Sequence, residues 1–127
     1  MSTKKNTSAA TGRTDAGVIG LGIMGSAMSA NLVKAGFAVH GYDPLPPARA
    51  RLAAAGGNAC RNAADVARRA RFIILSLPSE AALEAACAQI IAAGKKDLIV
   101  AETSTLPLAA KERAQKLLKK HGIALLD

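Results

Sequence analysis

Aromatic side chains are scarce in this 127-residue chain, which has no tryptophan, one tyrosine and two phenylalanines. A surface that binds single-stranded nucleic acid interleaves aromatics with cations. Phe37, Tyr42 and Phe72 are too few to build such a platform. No apolar run approaches the roughly 20 residues of a membrane-spanning helix, so no membrane partner is expected. Cysteine is also rare. Cys60 and Cys87 form no C-x-x-C, have no metal-ligand spacing, and sit among apolar or alanine-rich neighbours. They read as buried thiols in a reducing compartment, which makes the expected location cytoplasmic, without a disulfide framework or a metal centre. Repeats with a period of about 20–50 residues are missing as well. Acidic residues are outnumbered, 9 against 17 basic ones, and the formal charge is +8.

What is present is a chain that is 50% hydrophobic and long enough for one domain, which would bury roughly two-thirds of its unfolded surface. The positive charge is clustered rather than striped. Arg68-Arg69, Lys95-Lys96 and Lys119-Lys120-His121 fall at or just past the ends of expected helices. Cations there meet the negative end of the helix dipole, each gaining roughly 0.3–1 kcal/mol. Helix-end chemistry therefore accounts for much of the charge, and no nucleic-acid partner is expected.

Residues 1 to about 15 (MSTKKNTSAATGRTD) contain no large apolar residue after Met1 and are expected to form a disordered leader. They lack the apolar stretch of a secretory signal, and an organellar role is disfavoured by their shortness and lack of amphipathicity. From Ala16 onward the chain alternates. Apolar runs occur at residues 17–20, 37–42, 72–76, 98–101 and 123–126, with a weaker strand candidate at 57–60. Segments rich in Ala, Leu, Arg and Lys separate them, and several carry helix signals. Met24, Met28, Leu32 and Ala35 share one helical face, with Gly36 as the stop. Asn62 and Ser79 are placed to cap helices, Gly94 and Gly122 to end them, and Pro107 to lie in a first turn. Continuous apolar strands alternating with helices predict an α/β fold, a Rossmann-type doubly wound parallel sheet in a single domain spanning 16–127.

Gly20-Leu21-Gly22-Ile23-Met24-Gly25 is a G-x-G-x-x-G that leaves a strand and opens a helix. In that context Gly20 permits the tight turn, Gly22 lets backbone approach a pyrophosphate, and Gly25 lets the helix pack close to the sheet. Free amides at the helix start then hold the phosphates. A strand–helix turn without a ligand is the competing reading. Asp43 stands at the end of the second strand, 18 residues after Gly25, where a carboxylate accepts from adenosine ribose hydroxyls. Its charge repels a 2′-phosphate and Pro44 follows it, so NAD is favoured over NADP, although Arg49 and Arg51 lie in the next helix. The alternative for Asp43 is a turn residue closing its strand.

These residues carry a resemblance. The stretch from Val18 through Gly25, continuing via Met28, Asn31-Leu32 and Lys34-Ala35-Gly36 to Tyr42-Asp43, resembles the N-terminal signature of the β-hydroxyacid dehydrogenases. That superfamily holds 3-hydroxyisobutyrate dehydrogenase, tartronate semialdehyde reductases and 6-phosphogluconate dehydrogenase. Leu75-Ser76-Leu77-Pro78 is similar to the family's strand ending in Leu-Pro, and residues 102–107 (ETSTLP) to its Asp-x-Ser-Thr-x-x-Pro loop. The resemblance implies cofactor contacts at Leu77, Pro78 and Thr105. Departures are Glu102 for the usual aspartate, Ala82 where several members carry a cofactor-touching asparagine, and Pro107 one position early. From the residues alone, Ser104 or Thr105 could equally cap the helix after Pro107, and Ser79 reads as a cap rather than a ligand. His40 and His121 have no carboxylate or nucleophile in a recognisable catalytic arrangement.

In the family resembled, a glycine-rich substrate loop and a catalytic lysine follow the sixth strand, and Asp127 looks like the first residue of that loop. None of Lys95, Lys96, Lys111, Lys116, Lys119 or Lys120 matches the catalytic lysine's motif, so no catalytic residue is assigned in this chain. The expectation is a C-terminally truncated NAD-binding domain, inactive alone, of an oxidoreductase. The resemblance implies hydride transfer between a nicotinamide and a small 3-hydroxy acid or its semialdehyde, by a homo-oligomer when full length. A non-catalytic nucleotide-binding module is the alternative.

Overall fold

The computed structural model describes residues 13–127. Residues 1–12 of the expected leader lie outside that range, and the first strand, β1, already begins at Asp15. The order is β1 (Asp15–Ile19), α1 (Ile23–Lys34), β2 (Ala38–Tyr42), α2 (Pro46–Ala54), β3 (Asn58–Ala59) and α3 (Ala63–Arg69). It continues with β4 (Phe72–Leu75), α4 (Glu80–Ala92), β5 (Ile99–Glu102), α5 (Leu108–Lys119) and β6 (Ala124–Leu126). The six strands form one sheet in the order β3-β2-β1-β4-β5-β6, and every pairing is parallel. This is the Rossmann-type doubly wound sheet that the alternation predicts. Because β1 sits between β2 and β4, the loops leaving β1 and β4 diverge and open a crevice at the carboxyl ends of the strands.

Two apolar cores flank the sheet. The larger gathers Ile73, Leu75, Leu83, Ile90, Val100 and Leu118, with α3, α4 and α5 on that face. The smaller joins Val18, Leu21, Val39, Ala48 and Leu52 under α1 and α2. Both cysteines are free and buried in the larger core. Burial pushes the Cys87 thiol up to about 11, with Glu102 and Glu84 adding to the rise. Burial and Asp65 raise that of Cys60.

The helix signals are kept at most ends. Asn62 Oδ1 accepts from Asp65 N at 2.8 Å and Ser79 Oγ from Ala82 N at 3.1 Å. Gly36, Gly94 and Gly122 adopt left-handed backbone past the ends of their helices. Lys95 Nζ donates to the carbonyls of Arg68 and Ala70 at the end of α3, a helix-end role served to a neighbouring helix and not to α4, which it follows in the chain.

Two local expectations are corrected. On α1 the buried residues are Gly25 and Ser29, while Met24 is 65% exposed and Ala35 lies on the surface. The helix approaches the sheet so closely that small residues face inward, with Leu32 and Val33 packed beside them against the smaller core, so the expected face holds at Leu32 and fails at Met24 and Ala35. At α5 Pro107 occupies the N-cap position with no side-chain cap, so neither Ser104 nor Thr105 caps that helix. Among the described residues no helix is long and apolar enough to cross a membrane.

Candidate functional site

The crevice is shaped first by two glycines with no room for a side chain. Gly20 leaves β1 at φ +97°, and a Cβ there would lie 2.0 Å from Ser76 O. A Cβ on Gly25 would lie 1.8 Å from Gly20 O, so α1 lies directly against the loop that precedes it. Gly22 is different. A Cβ there would meet nothing within 4 Å, and it would project beside the start of α1.

That helix start lacks an internal partner for its amides. The N-cap is Gly22, no side chain caps it, and its first turn holds no acidic residue. The starts of α3 and α4 are occupied, whereas those of α2 and α5 also lack a side-chain cap. Besides the Asn62 and Ser79 caps, Gln89 Oε1 accepts from Ala63 N at 2.8 Å and from Ala64 N at 3.2 Å, closing α3. The first amides of α1 therefore carry a helix's positive end into the crevice without neutralisation.

Asp43 forms the opposite wall. Its Oδ2 accepts from Leu21 N at 2.8 Å and its Oδ1 from Leu45 N at 2.9 Å. The carboxylate thus ties the glycine loop to the start of α2, a stronger role than closing a strand. Each oxygen keeps acceptor capacity for a further donor. Arg49 Nη1 donates to Asp43 O at 2.8 Å, and its guanidinium lies 5.9 Å from the centre of the Tyr42 ring.

Together these elements border a mainly apolar cleft of about 770 Å³. Of the residues expected there, Gly20, Gly22, Ile23, Met24, Asp43, Leu77 and Pro78 line it. Leu21 and Gly25 do not, because the Leu21 side chain is wholly buried in the smaller core and Gly25 is pressed against the loop. Their contribution is through backbone and packing. Thr105 is exposed and stands outside the lining. Its neighbours are what hold the cleft. Ser104 Oγ accepts from Leu77 N at 2.7 Å, and Thr103 Oγ1 donates to Leu75 O at 2.7 Å. Glu102, only 2% exposed, accepts from Ser104 N through Oε1, leaving Oε2 without a partner. The loop after β5 thereby fixes the Leu77-Pro78 wall after β4.

Sequence reasoning missed Tyr42, Ala63 and Gln89 as lining residues. Tyr42 ends a strand next to Asp43, so its place was readable. Gln89 sits in an alanine-rich helix with no motif around it. Ile23 and Leu45 are large apolar residues 92% and 63% exposed at the cleft, a pairing of apolar surface and open backbone suited to an amphipathic ligand.

The chain is similar in sequence and fold to known proteins. The 3-hydroxyisobutyrate dehydrogenase of Mycobacterium tuberculosis, solved with L-serine, has a TM-score of 0.85 at 32% identity, covering 89% of this chain and 39% of that one. The probable 3-hydroxyisobutyrate dehydrogenase of M. tuberculosis strain H37Rv is 34% identical over 109 residues, 86% of this chain and 37% of that protein. The mitochondrial 3-hydroxyisobutyrate dehydrogenase of Drosophila melanogaster is 33% identical over 117 residues, 91% of this chain and 36% of that protein. The chain thus spans a little over a third of the length of these relatives. Residues 15–127 match the family model described as the NAD binding domain of 6-phosphogluconate dehydrogenase. With almost the whole described chain inside that match, the protein belongs to the family of the 6-phosphogluconate dehydrogenase NAD-binding domain.

Proposed function

We propose that the cleft binds NAD, with its pyrophosphate on the amides at the start of α1 and its adenosine ribose on Asp43. The observation that carries this reading is the open space at Gly22 beside a helix start that no side chain caps. A phosphate there meets partial positive charge and free N–H donors. The residues fit the group: the start of α1 offers backbone N–H donors with partial positive charge where the ligand is anionic, and the lining is apolar at Ile23, Met24 and Leu77, where flat rings need cover. Leu77 and Pro78 form the wall beside the rings, and Ser104 and Glu102 hold that wall in place. Thr105 joins the contacts only if the loop after Glu102 shifts on binding.

NAD is preferred over NADP on charge. A 2′-phosphate beside the Asp43 carboxylate places like charges together. Arg49, the nearby cation, is already engaged by the Asp43 carbonyl and the Tyr42 ring.

In the whole protein, NAD held by these residues would supply hydride-transfer chemistry for a small 3-hydroxy acid or its semialdehyde. The likeness to 3-hydroxyisobutyrate dehydrogenases supports that substrate class. Residues 1–127 on their own hold cofactor and do not turn it over. Among the described residues, none of Lys95, Lys96, Lys111, Lys116, Lys119 or Lys120 lines the cleft.

The test is a fluorescence titration of the chain with NADH and with NADPH. NADH is expected to bind at least about tenfold more tightly, a difference of about 1.4 kcal/mol. Tighter NADPH binding would reverse the cofactor preference, and failure to bind either would remove the site.

A further inference from the structure

We propose that Gln89 reads the base at the adenosine end of this cleft, donating its side-chain N–H groups to acceptor atoms of an adenine-type ring. The inference rests on the NAD reading above and sharpens it. Gln89 lines the cleft from α4, and its amide orientation is fixed by its neighbours. The backbone amides of Ala63 and Ala64 only donate, so the atom facing them must be Oε1 and not Nε2. The planar amide then holds Nε2 on the other side, and among the described residues no acceptor takes its hydrogens.

Gln89 is half-buried, so those hydrogens remain accessible. A helix cap uses only the oxygen of this side chain, and Asn62 already caps the same helix from its own end. The donor pair is therefore held in place by two hydrogen bonds and has no use inside the protein. The cleft around it has small walls at Ala63, Ala85 and Ala86, and Tyr42 faces it beside Asp43. Small walls, one flat side chain and a fixed donor pair match a flat heteroaromatic ring whose nitrogens accept. A prepositioned donor loses little freedom on binding, and a ligand lacking the acceptors leaves it unpaired.

Gln89→Glu separates the two functions of the side chain, since it keeps an acceptor for Ala63 and Ala64 and removes both donors. Calorimetric titration of the chain with ADP-ribose, which carries the base, and with reduced nicotinamide mononucleotide, which lacks it, reads the outcome. Relative to the unsubstituted chain, the variant is expected to bind ADP-ribose about tenfold more weakly and the mononucleotide within about twofold. Equal ADP-ribose affinity would overturn the proposal. So would an equal loss for both ligands, which would mark added charge rather than a lost base contact. If the unsubstituted chain does not bind ADP-ribose, the NAD reading itself fails. A second measurement does not depend on the variant folding. The side-chain ¹⁵N amide resonance of Gln89 is expected to shift with ADP-ribose and not with the mononucleotide, and an unmoved resonance would overturn the proposal.

Discussion

Gly20, Gly22 and Gly25 are one motif in the sequence and three different constraints in the structure. Gly20 and Gly25 face backbone at 2.0 and 1.8 Å from a would-be Cβ, whereas Gly22 faces open space. Gly25→Ala forces α1 away from its loop and is expected to lower stability by several kcal/mol, read by urea unfolding, within the range of severe backbone clashes. Asp43 has two tethers to lose. Asp43→Ala leaves Leu21 N and Leu45 N without their acceptor. It is expected to cost roughly 1–3 kcal/mol in the same measurement and to weaken NADH binding. A variant as stable as the parent would show that the carboxylate does not organise the loop. The glycine spacing and the position of Asp43 were readable because both belong to a short strand–helix–strand unit. The hydrogen bond from Leu21 was not, since it depends on how that unit closes on itself.

At the scale of elements, what the residues announced were ends. Asn62 and Ser79 cap as their positions imply. Asn62→Ala and Ser79→Ala are each expected to cost about 1 kcal/mol. Ser79→Ala should leave NADH affinity unchanged, and a change would make Ser79 part of the cofactor contact. Faces were harder to read than ends. The inner side of α1 includes Gly25 and Ser29 because the helix lies close to the sheet, and of the apolar residues expected to share a face Leu32 packs on the core while Met24 and Ala35 do not. Capping of α3 by Gln89 joins residues about 26 apart through tertiary packing, and no local pattern encodes it. Thr105 lies outside the cleft lining, in a loop whose register is already shifted at Pro107, and Ser104 is turned to Leu77.

For the whole molecule, the sheet order β3-β2-β1-β4-β5-β6 puts the divergence of loops between β1 and β4, so the same packing that forms two cores also opens the cleft. One core carries a pH dependence. The Cys87 thiol is raised from 9.0 to about 11, so the folded state holds its proton more tightly than the unfolded chain. That contribution is complete below pH 9 and is lost as pH rises from about 9 to about 11, on the order of 3 kcal/mol. Urea midpoints measured across that window should fall less steeply in Cys87→Ala than in the parent. Equal slopes would show that the thiol does not ionise with unfolding. The central claim, that the start of α1 holds a dinucleotide phosphate, is tested most directly by titrating Gly22→Val with NADH alongside a thermal melt. Since a Cβ at Gly22 meets no protein atom within 4 Å, the melt is expected to show only the N-cap cost of about 1 kcal/mol, together with at least about a hundredfold loss of NADH affinity, about 2.7 kcal/mol. NADH binding as tight as that of the parent, in a variant that melts as expected, would contradict the account.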